Sequence, residues 1–162
     1  MSILLATRPG LDANVLRWRR AFPGRPEQAS VVRRFAETLL HGCALVDDVL
    51  LVVDELVVNA LRHTGSGRPG GSFAVEIRRE CAEVVVMVAD QGCMTEPAPA
   101  DADALAESGR GLRTVSLLAT SWGWHGNAGG RTVTAVFATE PAGLVHLPGI
   151  GTEVLTPPVP RR

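Results

Sequence analysis

The stretch LLVVDELVVNALRHTG, residues 50–65, is apolar enough for a buried helix, yet it sets Glu55, Asn59 and His63 at four-residue steps. An α-helix turns every 3.6 residues, so these positions share one stripe. A half-buried carboxylate such as Glu55 can take a proton from a hydroxyl or water attacking a phosphoryl group. The Asn59 amide oxygen is a neutral hard ligand suited to Mg²⁺, which keeps most of its waters and binds phosphates directly. His63 falls at the helix C-terminus, where the dipole favours a cation. The same stripe also fits an ordinary solvated face. Against that, Leu51, Val52 and Val58 intrude on the polar arc, as in a half-exposed cleft wall, and Asn is a poor helix former.

Three further pieces carry possible chemistry. VVVMVADQG ends a strand in Asp90, a spacer and Gly92. That carboxylate fits a turn former bonding its own backbone, or an acceptor for an exocyclic amine with Gly92 letting a flat ring approach. SGRGLRTVSLLAT places Gly109 and Gly111 at the mouth of a helix, where unsatisfied N–H groups and the positive dipole end can seat an anion, and Arg110 adds a charge. A plain glycine turn reads the same way. GGRTVTAVF puts Thr132 at the start of a strand, either as a good β former or as a member of a hydrogen-bond network with Asp90. No GxxxxGK[ST] occurs, and no GxGxxG follows the first strand, which excludes a Walker-type loop and argues against a Rossmann site.

The elements that must position these residues follow from period and punctuation. NVLRWRRAFPG reads as a strand closed by Pro23 and Gly24. RPEQASVVRRFAETLLHG carries helix start, stripe and stop signals, and a second helix runs from about Val46 to His63. TGSGRPGG is a loop. SFAVEIRRE alternates as a strand, and EVVVMVAD fits a strand buried on both faces. Residues 93–108 are rich in Pro, Ala and acids and read as a mobile loop before a helix at GRGL. WGWHG and RTVTAVFAT close a hairpin around NAGG. Strands that follow one another without helices argue against a doubly wound parallel sheet. The expectation is a two-layer α/β sandwich: a mixed, mostly antiparallel sheet with helices on one face. Its domain spans residues 15–140, between a flexible arm (1–14) and a disordered tail (141–162).

With 162 residues, 46% hydrophobic and a net charge of -1, the chain fits one domain with a real core and offers no broad attraction to nucleic acid or an anionic membrane. Cys43, Cys81 and Cys93 are odd in number and form no CxxC pair, which fits a reducing compartment rather than a disulfide framework. Neither a signal-peptide pattern nor an 18-residue apolar run is present, so the sequence reads as cytoplasmic, with no nucleic acid and no membrane among its partners.

Taken in order, Glu-x-x-x-Asn on a helix, Asp-x-Gly after a strand, a variable loop, Gly-x-Gly into a helix and Gly-x-Thr into a strand resemble the Bergerat nucleotide-binding fold of gyrase, Hsp90, histidine kinases and MutL. ELVVNALRH together with GRGL looks most like the anti-sigma-factor serine/threonine kinases of the RsbW/SpoIIAB type, over roughly residues 15–138. The resemblance implies an ATP- and Mg²⁺-binding regulator of transcription. It would be a transferase acting on a serine of an anti-sigma-factor antagonist, an anti-sigma factor, or both, and the resemblance leaves a homodimer open. The alternative is a non-catalytic nucleotide-binding module that sequesters a sigma factor. Under the resemblance Glu55 is the base and Asn59 the Mg²⁺ ligand. Asp90 accepts from the adenine amino group, with Gly92 beneath the ring and Thr132 supporting through a water. Gly109, Arg110 and Gly111 approach the phosphates, and residues 93–108 form a lid. The chain departs from the family at its second box, where Asp-x-Gly-x-Gly is Asp90-Gln91-Gly92-Cys93-Met94, and in a lid carrying Glu96, Asp101, Asp103 and Glu107.

Overall fold

The computed structural model describes residues 15–80, 82–94 and 110–138. The expected arm, the tail, Gly109 and all of the lid beyond Met94 lie outside the described residues. In chain order the elements are β1 (Leu16–Pro23), α1 (Gln28–Leu39), α2 (Val46–His63), a 3₁₀ turn (Gly65–Gly67), β2 (Ser72–Arg79), β3 (Glu83–Asp90), α3 (Arg110–Leu118), β4 (Ser121–Asn127) and β5 (Gly130–Ala138). The second helix has the bounds its sequence predicts. Asp47 and Asp48 in its first turn and Arg62 and His63 in its last suit the two ends of the dipole.

The strands form one sheet in the order β1-β2-β3-β5-β4, and every neighbouring pair is antiparallel. The mixed sheet expected from sequence is therefore corrected to a fully antiparallel one. The cause is topological: α3 carries the chain from β3 to β4, which would run parallel to it, but β5 inserts between the two and pairs with both.

Burial alternates along β3. Val84, Val86 and Val88 are buried, whereas Val85, Met87 and Ala89 are only half covered. A strand buried on both faces was expected. Among the described residues the helices cover one side alone, so the β-branched run has one half-covered face. On the covered side Val75, Ile77, Val86, Ala135 and Phe137 meet Val49, Val52, Val53, Leu56 and Val57 of α2 in one core. Each fully buried Val or Leu contributes roughly 1.5–3 kcal/mol relative to exposure. Phe22 anchors one corner, stacked on Phe73 at 5.6 Å and edge-on to Phe35 at 6.0 Å. Trp18, Trp122 and Trp124 pack against the core as partly buried side chains, in keeping with structural roles.

Candidate functional site

The polar stripe of α2 is a wall. Val52, expected to intrude on a half-exposed arc, is fully buried, and Glu55 and Asn59 on the same stripe are half-buried. What covers them is the first turn of α3. A Cβ built on Gly111 would lie 2.5 Å from Glu55 Oε2 and 3.5 Å from Asn59 Nδ2. Glycine at that position lets the start of α3 reach both side chains. The first turn of a helix thus lies against a carboxylate and an amide, and unsatisfied N–H groups at such a helix start can receive an anion. His63 and Arg62, at the far end of α2, are exposed.

Asp90 closes β3 on the covered side of the sheet, in pleat register with Val86 and Val88. Its Oδ1 accepts from the Gly92 N–H at 2.6 Å. Burial holds the Asp90 carboxyl above its usual range, opposed by that N–H and by the positive charge of Arg131. Gly92 has φ +67°, and a Cβ there would come within 2.4 Å of the Ala128 carbonyl oxygen. The turn between β4 and β5 therefore demands glycine here.

The segment after α2 belongs to the site, although the sequence reads it only as a loop. Thr64 Oγ1 donates to the Ala60 carbonyl at 2.6 Å and accepts from the Ser66 N–H at 3.1 Å. The wholly buried Ser66 offers its Oγ to the Gln91 N–H at 2.9 Å, and the Gly65 N–H donates to the Gly92 carbonyl at 2.9 Å. These two bonds clamp the end of α2 to the exit of β3. Beside the clamp lies a cavity of about 480 Å³ lined by Arg62, His63, Gly65, Arg68, Gln91, Gly92, Cys93 and Met94, among others. Asp90 is two residues before Gly92 and hydrogen-bonded to its N–H, but does not itself line the cavity.

One expected residue is not brought in. Thr132 pairs with Ala89 and His125, so pleat parity sends it to the open face of the sheet, away from Asp90. Opposite Asp90 stands Arg131 instead. Arg131 is only 6% exposed, and its guanidinium lies 5.2 Å from the Trp124 ring centroid and donates to the Cys93 carbonyl. Counting back by twos from the core residues Phe137, Ala135 and Val133 would have identified it. Arg110 opens α3 and Gly111 sits in its first turn, but Gly109 lies outside the described residues. Among the described residues no group of three or more His, Cys, Asp or Glu could hold a metal ion, and no helix is long and apolar enough to cross a membrane.

Residues 22–137 match the family described as histidine kinase-like ATPase domain. No curated protein matches the chain. Among 13 matching chains of solved structures is one holding the RsbU and RsbW domains of Rv1364c from Mycobacterium tuberculosis, superposing with a TM-score of 0.58 at 18% identity. The likeness covers 76% of this chain and 32% of that one, and at such identity it speaks for the fold.

Proposed function

Because the chain belongs to the histidine kinase-like ATPase domain family, we propose that its cleft binds ATP with Mg²⁺ and transfers the γ-phosphoryl group to a serine of a small antagonist protein, whose target is this chain acting as an anti-sigma factor. The observation that carries the reading is the meeting of Glu55 and Asn59 with Gly111 at the start of α3. A carboxylate, an amide side chain and the start of a helix then meet at one spot.

Each residue has a part. The Asp90 carboxylate accepts from the adenine amino group, with the base in the cavity beside Gly92. Backbone N–H groups at Gly109 and Gly111, with the Arg110 charge, receive the phosphates. The Asn59 amide oxygen is a neutral hard ligand that would hold Mg²⁺, an ion that takes most of its ligands from water and phosphate, and Glu55 is left free as the base. When bound, the ion neutralises charge on the phosphate oxygens. Glu55 takes the serine proton as the serine oxygen bonds to phosphorus, while the bond to ADP breaks and ADP departs with its electron pair.

Two substitutions on the stripe should differ in kind. Glu55→Ala should leave ATP affinity within about threefold while transfer falls ~10²–10⁴-fold. Asn59→Ala should weaken the Mg²⁺-dependent part of ATP binding. Radiolabelled ATP with candidate antagonists, beside calorimetry, measures both. Transfer by Glu55→Ala at the parental rate sinks the catalytic assignment. ATP binding and tight sigma-factor capture without transfer to any antagonist would instead favour the sequestering module.

A further inference from the structure

We propose that Arg131 is a positioning residue for the base end of the nucleotide cleft: it ties the exit of β3 to the β4–β5 hairpin and faces Asp90 across the strand pair, so that the carboxylate meets the base as an oriented acceptor. The inference rests on the nucleotide reading above and adds to it a residue that none of the sequence motifs singles out.

Burying a guanidinium is costly unless it is paired, so the contacts made by a residue 6% exposed are informative. Arg131 bridges three pieces of the site. Its Nη2 donates to the Cys93 carbonyl and its Nη1 lies 3.6 Å from Cys93 Sγ, which holds the segment that leaves β3. Its guanidinium lies against the Trp124 ring, fixing it to β4. Across the register it stands opposite Asp90, where its charge opposes the effect of burial on the carboxyl. From α2 and the loop after it, Arg62, His63 and Arg68 line the adjoining cavity, but Arg131 is the charge that acts on Asp90 among the described residues. A carboxylate held ionised is a pure acceptor and suits an exocyclic amine, whereas a protonated one presents a donor to the same amine.

The test compares Arg131→Met, which keeps a stem of similar reach without charge or donors, with Arg131→Lys, which keeps the charge but loses the fork. Thr132→Val, on the opposite face, is the control. Hydrogen exchange at residues 91–94 without nucleotide reads the tie, and calorimetry with ATP at pH 7.5 and pH 5.5 reads the base site. Arg131→Met should exchange faster at 91–94 and bind ATP about tenfold to a hundredfold more weakly at pH 7.5. It should also lose a larger factor than the parent between the two pH values, because a carboxyl without its cation neutralises at higher pH. Arg131→Lys should exchange faster yet keep the parental pH ratio, and Thr132→Val should match the parent throughout. Faster exchange with parental ATP affinity in Arg131→Met overturns the proposal and leaves the nucleotide reading standing. A parent that protects residues 91–94 yet binds no ATP overturns the nucleotide reading itself. If circular dichroism shows Arg131→Met unfolded, Arg131→Lys decides, and parental exchange with parental affinity in that variant overturns the proposal.

Discussion

Asp90 is held in a place that does not suit its charge. Burial outweighs the Gly92 N–H and Arg131, so its folded pKa lies above its unfolded one. A carboxyl raised in this way favours the folded state in acid, and that contribution is lost as pH rises through the folded pKa. At neutral pH the ionised group therefore opposes folding. Asn in its place can still accept the Gly92 N–H through its amide oxygen while carrying no charge. Asp90→Asn is expected to melt at a higher temperature than the parent at pH 7.5, with the advantage shrinking as pH falls toward the ordinary carboxylate range near ~4. It should also bind ATP about tenfold to a hundredfold more weakly, because half of the acceptor becomes a donor facing the base amine. Thermal melts across pH, paired with calorimetry, measure both. A variant that melts lower at pH 7.5, or that binds ATP like the parent, would contradict the role assigned to this carboxylate.

The elements around the site divide by how they announce themselves. α2 was legible from end to end, because an eighteen-residue apolar period with acids first and bases last leaves few alternatives. Glu55 and Asn59 could be placed on one stripe for the same reason. Their meeting with Gly111 could not, since it depends on how α3 returns across the sheet. The clamp at Thr64, Ser66 and Gly65 was hidden because glycine and serine in a row resemble any loop until Gln91 is placed beside them. Thr132 suggests itself by residue type, whereas strand parity turns Arg131 toward Asp90. The clamp also makes a graded prediction. Ser66→Ala takes the acceptor away from the part-buried Gln91 N–H and should destabilise by about 0.5–1.5 kcal/mol. Gly92→Ala should cost more, because it meets both an unfavourable positive φ and a backbone oxygen 2.4 Å away that cannot easily move. Urea unfolding orders the two, and a Gly92→Ala variant as stable as the parent would show that the hairpin does not press on this turn.

The sheet presents its two faces to different tasks, and a second carboxylate marks the contrast. Helices, core and cleft lie on one side, whereas Glu76 projects on the other, out of parity with Val75 and Ile77. It is nonetheless only 5% exposed, because two arginines cover it. Arg17 grips it with two nitrogens, Nε to Oε1 at 2.7 Å and Nη2 to Oε2 at 2.8 Å, and Arg78 Nε adds a contact at 2.8 Å. Burial pushes the Glu76 carboxyl up, but the bonds and charges of both arginines prevail and hold it below its usual range. The linkage therefore runs opposite to that of Asp90. Glu76 contributes stability above its unfolded pKa of ~4.3, and this is lost as pH falls through the lower folded value. The trio joins β1, an edge strand, to β2 on a face that no helix among the described residues covers. Glu76→Gln keeps the shape and one acceptor oxygen but gives up the charge and the second grip of Arg17. Both arginines are partly exposed, so solvent screens part of the effect, and a loss on the order of 1–2 kcal/mol at pH 7.5 is expected. The gap between parent and variant should close below about pH 4, and ATP affinity should be unchanged because the cleft lies across the sheet. Urea unfolding at a series of pH values reads the first expectation and calorimetry the second. A gap that persists unchanged into acid would mean that packing, not the ion pairs, holds this face, and a loss of ATP binding would mean that the two faces are not independent.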